Sequence, residues 1–150
     1  MRTRSLASEG FTLIEIMVVV VIIGILATIV SVNFMGRVEQ AKITKAKAQI
    51  KNFEAALDLY RLDNGEYPST EQGLQALIEK PTTGKIPCCW REGGYLKNVS
   101  KIPKDPWNHD YVYLCPGTKG PYDIISYGAD GEPGGEGKNA DITNWNLDER

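Results

Sequence analysis

"GFTLIEIMVVVVIIGILATIV" occupies residues 10–30, and the reading of the whole chain turns on it. The run is apolar enough to lie in a bilayer, yet it carries a carboxylate at Glu15. From Ile16 to Val32 only Gly24, Thr28 and Ser31 interrupt the apolar side chains. As a helix that stretch is roughly 25 Å long, the short end of a membrane span. Adding Phe11–Ile14 makes it long enough to cross. An ionisable group at membrane depth is costly, so it points to a function. A secretory signal does not fit, because its apolar region precedes the cleavage site, whereas here it follows Gly10. Arg2 and Arg4 favour a cytoplasmic N-terminus, with the remainder of the chain outside. An ordinary signal anchor accounts for the hydrophobicity and the arginines but leaves Glu15 unexplained.

Beyond Asn33 the pattern becomes amphipathic. Ile43, Ala46, Ile50, Phe53, Leu57 and Tyr60 recur at steps of three and four, while Lys42, Lys45, Lys47, Lys51, Glu54 and Asp58 take other faces. That is helical periodicity with one buried stripe. No proline interrupts residues 11–67. The spacing predicts one helix from about Thr12 to Leu62, with Gly24 and Gly36 as its weak points and Asp63-Asn64-Gly65 as its stop.

The remainder is polar and rich in turns, with Gly and Pro concentrated after residue 80. Ser69 or Thr70 caps a predicted short helix with Leu74, Leu77 and Ile78 as its apolar face, ended by Pro81. "DYVYL" (110–114) and "GPYDIISYG" (120–128) read as strands, with Tyr111/Tyr113 and Tyr122/Ile124/Ser126 on alternating positions. Two or three antiparallel strands packed on the C-terminal half of the helix give a small α+β domain. The chain has 150 residues and a formal charge of −2, which gives no reason to expect nucleic-acid binding. Of the three cysteines, Cys88 and Cys89 are adjacent and Cys115 is separate. A bridge from either to Cys115 in an oxidising compartment, and three unpaired thiols, are both compatible with that spacing.

"EGFTLIEIMVVVVIIGILATI" resembles the class III signal of type IV pilins and pseudopilins. "YPSTEQGLQAL", "WREGGYLKN", "PKDPWNHDYVYL" and "YDIISYGADGEPGGEGKNADITNW" extend the resemblance across nearly the whole chain, to the major pseudopilin family of the type II secretion system. The resemblance implies a type IV pilin-like fold, in which a long N-terminal helix packs on a small antiparallel sheet followed by a calcium-binding C-terminal loop. It implies a cleaved leader at 1–10, a transmembrane and filament-core helix at 11–35 and a periplasmic domain at 36–150. A prepilin peptidase would cut between Gly10 and Phe11, and Phe11 would be N-methylated. Glu15 would then pair with a neighbouring subunit's terminal ammonium; a wrong axial offset strands a buried charge at a cost of about 3–5 kcal/mol. Relatives often carry proline near the position of Val32, so helix melting on assembly is less expected here.

"SYGADGEPGGEGKNAD" places Asp130, Glu132, Glu136 and Asp141 among glycines. Hard cations such as Ca²⁺ take six to eight oxygens from carboxylates and carbonyls. Such a loop reads either as a cation site or as a solvated turn; it lacks EF-hand spacing. The family resemblance implies a Ca²⁺ held by Asp130 and Asp141, with carbonyls near Tyr127 and Glu132. Ala140 stands where some relatives have another acid, which leaves Glu136 or a further carbonyl to complete the shell.

Catalysis is not supported. His109 lies beside Asp105 and Asp110, but no nucleophile motif accompanies it. Cys88-Cys89 is not a CxxC pair, and "GEPGGEG" lacks the Lys-Ser/Thr of a phosphate loop. The family resemblance implies a structural role instead: a homopolymer in a periplasmic pseudopilus that helps export folded exoproteins. Minor pseudopilins, an inner-membrane assembly platform and an outer-membrane secretin pathway are its implied partners. A type IV pilus subunit is the alternative, disfavoured because no cysteine follows Cys115. A membrane-tethered calcium-dependent periplasmic protein is the alternative from another class.

Overall fold

The computed structural model describes residues 10–148, and for residues 29–35 it describes backbone alone. The leader expected at 1–10 lies, except for Gly10, outside the described residues. One helix, α1, runs unbroken from Leu13 to Asn64. Its stop is the expected one: Gly65 adopts φ 84°, and its N–H closes on the Arg61 carbonyl at 2.7 Å. The Asn64 side-chain amide donates to the Tyr60 carbonyl and the Tyr95 hydroxyl, both at 2.9 Å. The chain divides into two units, residues 1–38 and 39–150.

In the first unit, every large apolar side chain described from Phe11 to Leu26 is exposed. A helix that is apolar all round needs a surrounding that is not water. Covering these side chains is worth on the order of 10 kcal/mol at about 1 kcal/mol each. Among the described residues no helix is long and apolar enough to cross a membrane. The sequence's apolar run continues through Val32, but those side chains lie outside the described set.

The second unit holds the core. Ala46, Ile50, Phe53, Leu57 and Tyr60 are buried and Ile43 is half-buried, as the periodicity predicts. They pack with Leu74, Leu77, Tyr95, Tyr111, Tyr113, Tyr122, Ile124, Ile142 and Leu147. The Phe53 and Tyr111 rings meet edge-on with centroids 5.1 Å apart. Strands β1 (Val112–Leu114), β2 (Asp123–Ser126) and β3 (Ile142–Thr143) form an antiparallel sheet in that order. Val112 pairs with Ile125 and Leu114 with Asp123; Ser126 pairs with Ile142. Tyr111 and Tyr113 point inward while Val112 and Leu114 are half-exposed, the alternation expected of a strand with one buried face. Burial pushes both phenols up, so they stay protonated and donate, Tyr111 to Gln49 Oε1 and Tyr113 to the Pro68 carbonyl, each at 2.8 Å.

The short helix expected after Ser69 is only one turn followed by a 3₁₀ segment, Leu74–Leu77. The reciprocal cap is present: Ser69 Oγ accepts from Gln72 N–H at 3.3 Å and Gln72 Oε1 accepts from Ser69 N–H at 3.1 Å. Gly73 then turns to φ 61°, which ends the α-helical path at once. Leu74 and Leu77 are buried and Ile78 is half-buried, so the apolar face was correctly placed.

Candidate functional site

At the N-terminal end, Gly10 and Phe11 precede the helix, and Phe11 is 79% exposed. Thr12 caps α1, its Oγ1 accepting from Glu15 N–H at 3.3 Å. Glu15 therefore sits at the third helical position of a Thr-x-x-Glu start, where a carboxylate meets the positive end of the helix dipole. Thr12, expected only as the approximate start of the helix, is also its cap, a role that the T-x-x-E signal of residues 12–15 carries. The expected intermolecular pairing of Glu15 involves a second subunit.

The acidic loop follows β2. Asp130 is exposed and its Oδ1 accepts from Glu132 N–H at 3.3 Å. Asp141 is half-buried, and both its oxygens accept from Gly134 N–H, at 3.1 and 2.9 Å. Tyr127 is half-buried; Glu132 and Glu136 are exposed. Gly128, Gly131, Gly134, Gly135 and Gly137 all have positive φ. At Gly135 a Cβ would stand 2.6 Å from the Asn139 carbonyl oxygen, so only glycine lets the loop close there. Among the described residues no three His, Cys, Asp or Glu side chains gather to hold a metal. Glu136 thus does not join the two aspartates in a ready carboxylate cage. The donor chemistry still suits Ca²⁺, since two carboxylates and a glycine-freed backbone offer only hard oxygens.

A hydrogen-bonded path carries this loop on the rest of the domain. Asp105 is 5% exposed. Its Oδ1 accepts from Trp107 N–H at 3.0 Å and His109 N–H at 2.8 Å, and its Oδ2 accepts the buried Ser126 hydroxyl at 2.7 Å. His109 Nδ1 donates to the Gly128 carbonyl at 3.1 Å, and its ring fills the space beside Gly131. In the other direction Trp107 Nε1 donates to Glu39 Oε2 at 3.1 Å, while Lys42 pairs with Glu39 Oε1 at 3.0 Å. The Lys42 and Trp107 hydrogen bonds hold the Glu39 carboxyl below its ordinary range. The path thus runs from α1 through the 105–109 turn to β2 and the acidic loop.

This arrangement is not a catalytic chain. Ser126 gives its proton to Asp105, not to His109, and it is fully buried. His109 spends Nδ1 on a backbone carbonyl and lies 3.9 Å from Asp105 Oδ2. The three cysteines are free: Cys88 and Cys89 are exposed, and Cys115 is half-buried with its Sγ 3.5 Å from the Pro121 carbonyl oxygen. The bridge to Cys115 that the spacing allowed is not formed.

A capped apolar helix that extends into the core of a small antiparallel domain is the architecture of a pilin-like filament subunit. The family model "Type II secretion system (T2SS), protein G" matches residues 33–145, and the "Prokaryotic N-terminal methylation motif" matches residues 6–31. The chain is 59% identical to type II secretion system core protein G of Pseudomonas aeruginosa, covering 91% of this chain and 94% of that one. It is 56% identical to the protein of the same name from Vibrio cholerae, covering 92% of each. The crystal structure of the major pseudopilin from the type 2 secretion system of enterohaemorrhagic Escherichia coli matches with a TM-score of 0.64 and 44% identity, covering 75% of this chain and 94% of that one. The chain belongs to the type II secretion system protein G family, a family of structural pseudopilins.

Proposed function

We propose that this protein is the repeating subunit of a periplasmic pseudopilus. It enters the inner membrane through residues 11–35, is cut between Gly10 and Phe11, and is methylated on Phe11. The observation that carries this is the exposed apolar half of α1, continuous with a folded domain: the monomer leaves uncovered a surface that lipid covers before assembly and sister helices cover afterwards. The methylation motif over residues 6–31 supports the processing step. Glu15 sets axial register by pairing with a neighbour's terminal ammonium, because a misplaced subunit buries an uncompensated charge.

Ca²⁺ belongs to the same reading. Asp130 and Asp141 would hold it with backbone carbonyls near Tyr127 and Glu132, and Glu136 lies in the same loop. A bound Ca²⁺ would supply positive charge that offsets the loop's carboxylates and so stabilises it. The chain's own contribution is the backbone brace of His109 and Asp105 beneath that loop. The filament's work is mechanical, helping folded exoproteins out through the secretin with minor pseudopilins and the assembly platform. A chromosomal deletion tests the function. Exoproteins trapped in the periplasm with surface fibres intact support it; normal secretion with lost fibres makes the chain a pilus subunit instead.

A further inference from the structure

The 82–90 loop carries a feature that the proposed function does not call on. Cys88 and Cys89 occupy the centre of a turn, are both exposed, and place their sulfurs 3.1 Å apart. The turn is fixed on both sides. Pro87 is buried before it, and Trp90 after it packs on the core and donates Nε1–H to the Ala76 carbonyl at 2.9 Å. Upstream, Gln72 Nε2 donates to the Thr83 and Lys85 carbonyls at 2.8 and 2.9 Å. Two thiols held together and facing solvent on an anchored turn form a reactive unit. Two side chains on a mobile segment do not.

We propose that Cys88 and Cys89 are a redox-active vicinal dithiol that a disulfide-bearing oxidant converts to an intraloop disulfide. One thiolate attacks a sulfur of the oxidant, forming a mixed disulfide and releasing one reduced thiol. The adjacent sulfur then attacks the mixed disulfide, closes the Cys88–Cys89 bond and releases the second thiol. Two cysteine thiols are oxidised, one disulfide is reduced, and the two cysteine protons end on the two released thiols. Both sulfurs are exposed and 3.1 Å apart, so either thiol can attack first and the other resolve. Neighbouring Cα atoms lie about 3.8 Å apart, closer than the ~4.4–6.8 Å usual across a disulfide. Closure therefore strains the turn, and the bond is readily reduced again, as labile regulatory disulfides are. The chemistry is independent of the pseudopilus reading; only its cellular setting, an oxidising periplasm, follows from it.

The test uses full-length protein in detergent, oxidised glutathione as the oxidant, acid quenching, maleimide labelling and mass spectrometry. The expected result is that labelled thiols fall from three to one, with the remaining label on Cys115. The peptide carrying both residues should lose two hydrogens, and dithiothreitol should restore it. Cys88→Ser and Cys89→Ser should each hold glutathione as a stable mixed disulfide, because the resolving thiol is gone. The proposal is overturned if wild type keeps all three labels, accumulates the same glutathione adduct as the single variants, or forms covalent dimers on a non-reducing gel.

Discussion

Asp105 offers the sharpest test of how the domain holds together. Asp105→Ala removes the acceptor for three donors at once: Trp107 N–H, His109 N–H and the Ser126 hydroxyl. Ser126 is fully buried, so its orphaned hydroxyl costs about 2 kcal/mol. The two N–H groups belong to half-buried residues and regain water, which limits their loss to about 1–2 kcal/mol together. The sum is about 3–4 kcal/mol, or a fall of roughly 15–25 °C in melting temperature for a domain of this size. Asp105→Asn keeps Oδ1 for both N–H donors and presents an amide to a hydroxyl that can rotate to accept. It should cost only about 1 kcal/mol. The assay is thermal and urea unfolding, followed by tryptophan fluorescence, of a soluble fragment beginning at Arg37. If Asp105→Ala melts within 5 °C of the parent, or Asp105→Asn is as unstable as Asp105→Ala, the buried-hub account is wrong.

The other expectations are as follows. Ca²⁺ at 100 times its dissociation constant should stabilise the same fragment by about 2.7 kcal/mol, and Asp141→Ala should abolish the response; a melt unmoved by chelator removes the site. Glu15→Ala should insert into membranes normally and fail to enter filaments, so normal incorporation in pelleted pseudopili would rule out the register role. Burial raises the Asp123 carboxyl, but hydrogen bonds from the Thr118 N–H and hydroxyl and the Lys119 N–H outweigh it and hold the group below its ordinary 3.8. A depressed folded value means the stabilisation is complete above the unfolded pKa and is lost as pH falls through the folded one. The fragment should therefore lose stability progressively below about pH 4, and Asp123→Asn, though less stable at neutral pH, should show a shallower acid slope in urea titrations.

Much of this was legible because it follows local periods. The 43–60 stripe obeys the helical spacing, and the Tyr111–Leu114 alternation marks a strand with one buried face. The helix stop at Asn64-Gly65 is written in residues that tolerate positive φ. What escaped depends on partners distant in sequence or on a single backbone angle. β3 has two residues, too few to show a period, and exists because Ile142 pairs with Ser126. The short helix collapsed to one turn because Gly73 took a left-handed angle that its flanking cap did not reveal. Asp105 was noted only as a carboxylate beside His109, and its role as a hub was not legible, since Ser126 and Glu39 reach its turn only in the folded domain. Asp130 and Asp141 were legible as oxygen donors, but a glutamate's approach to them is a matter of loop conformation that composition does not encode.

The contact between Leu147 and α1 has a consequence for the order of folding. Lys47 Nζ donates to the Leu147 carbonyl at 2.9 Å, Lys51 lies 3.5 Å from the Asp148 carboxylate, and Leu147 sits in the core beside residues of α1. Positions 100 residues apart are thus joined. Such a closure costs a long loop's entropy before it returns any contact, so it should form late when the unfolded fragment is returned to native buffer. Leu147→Ala should then speed unfolding much more than it slows folding.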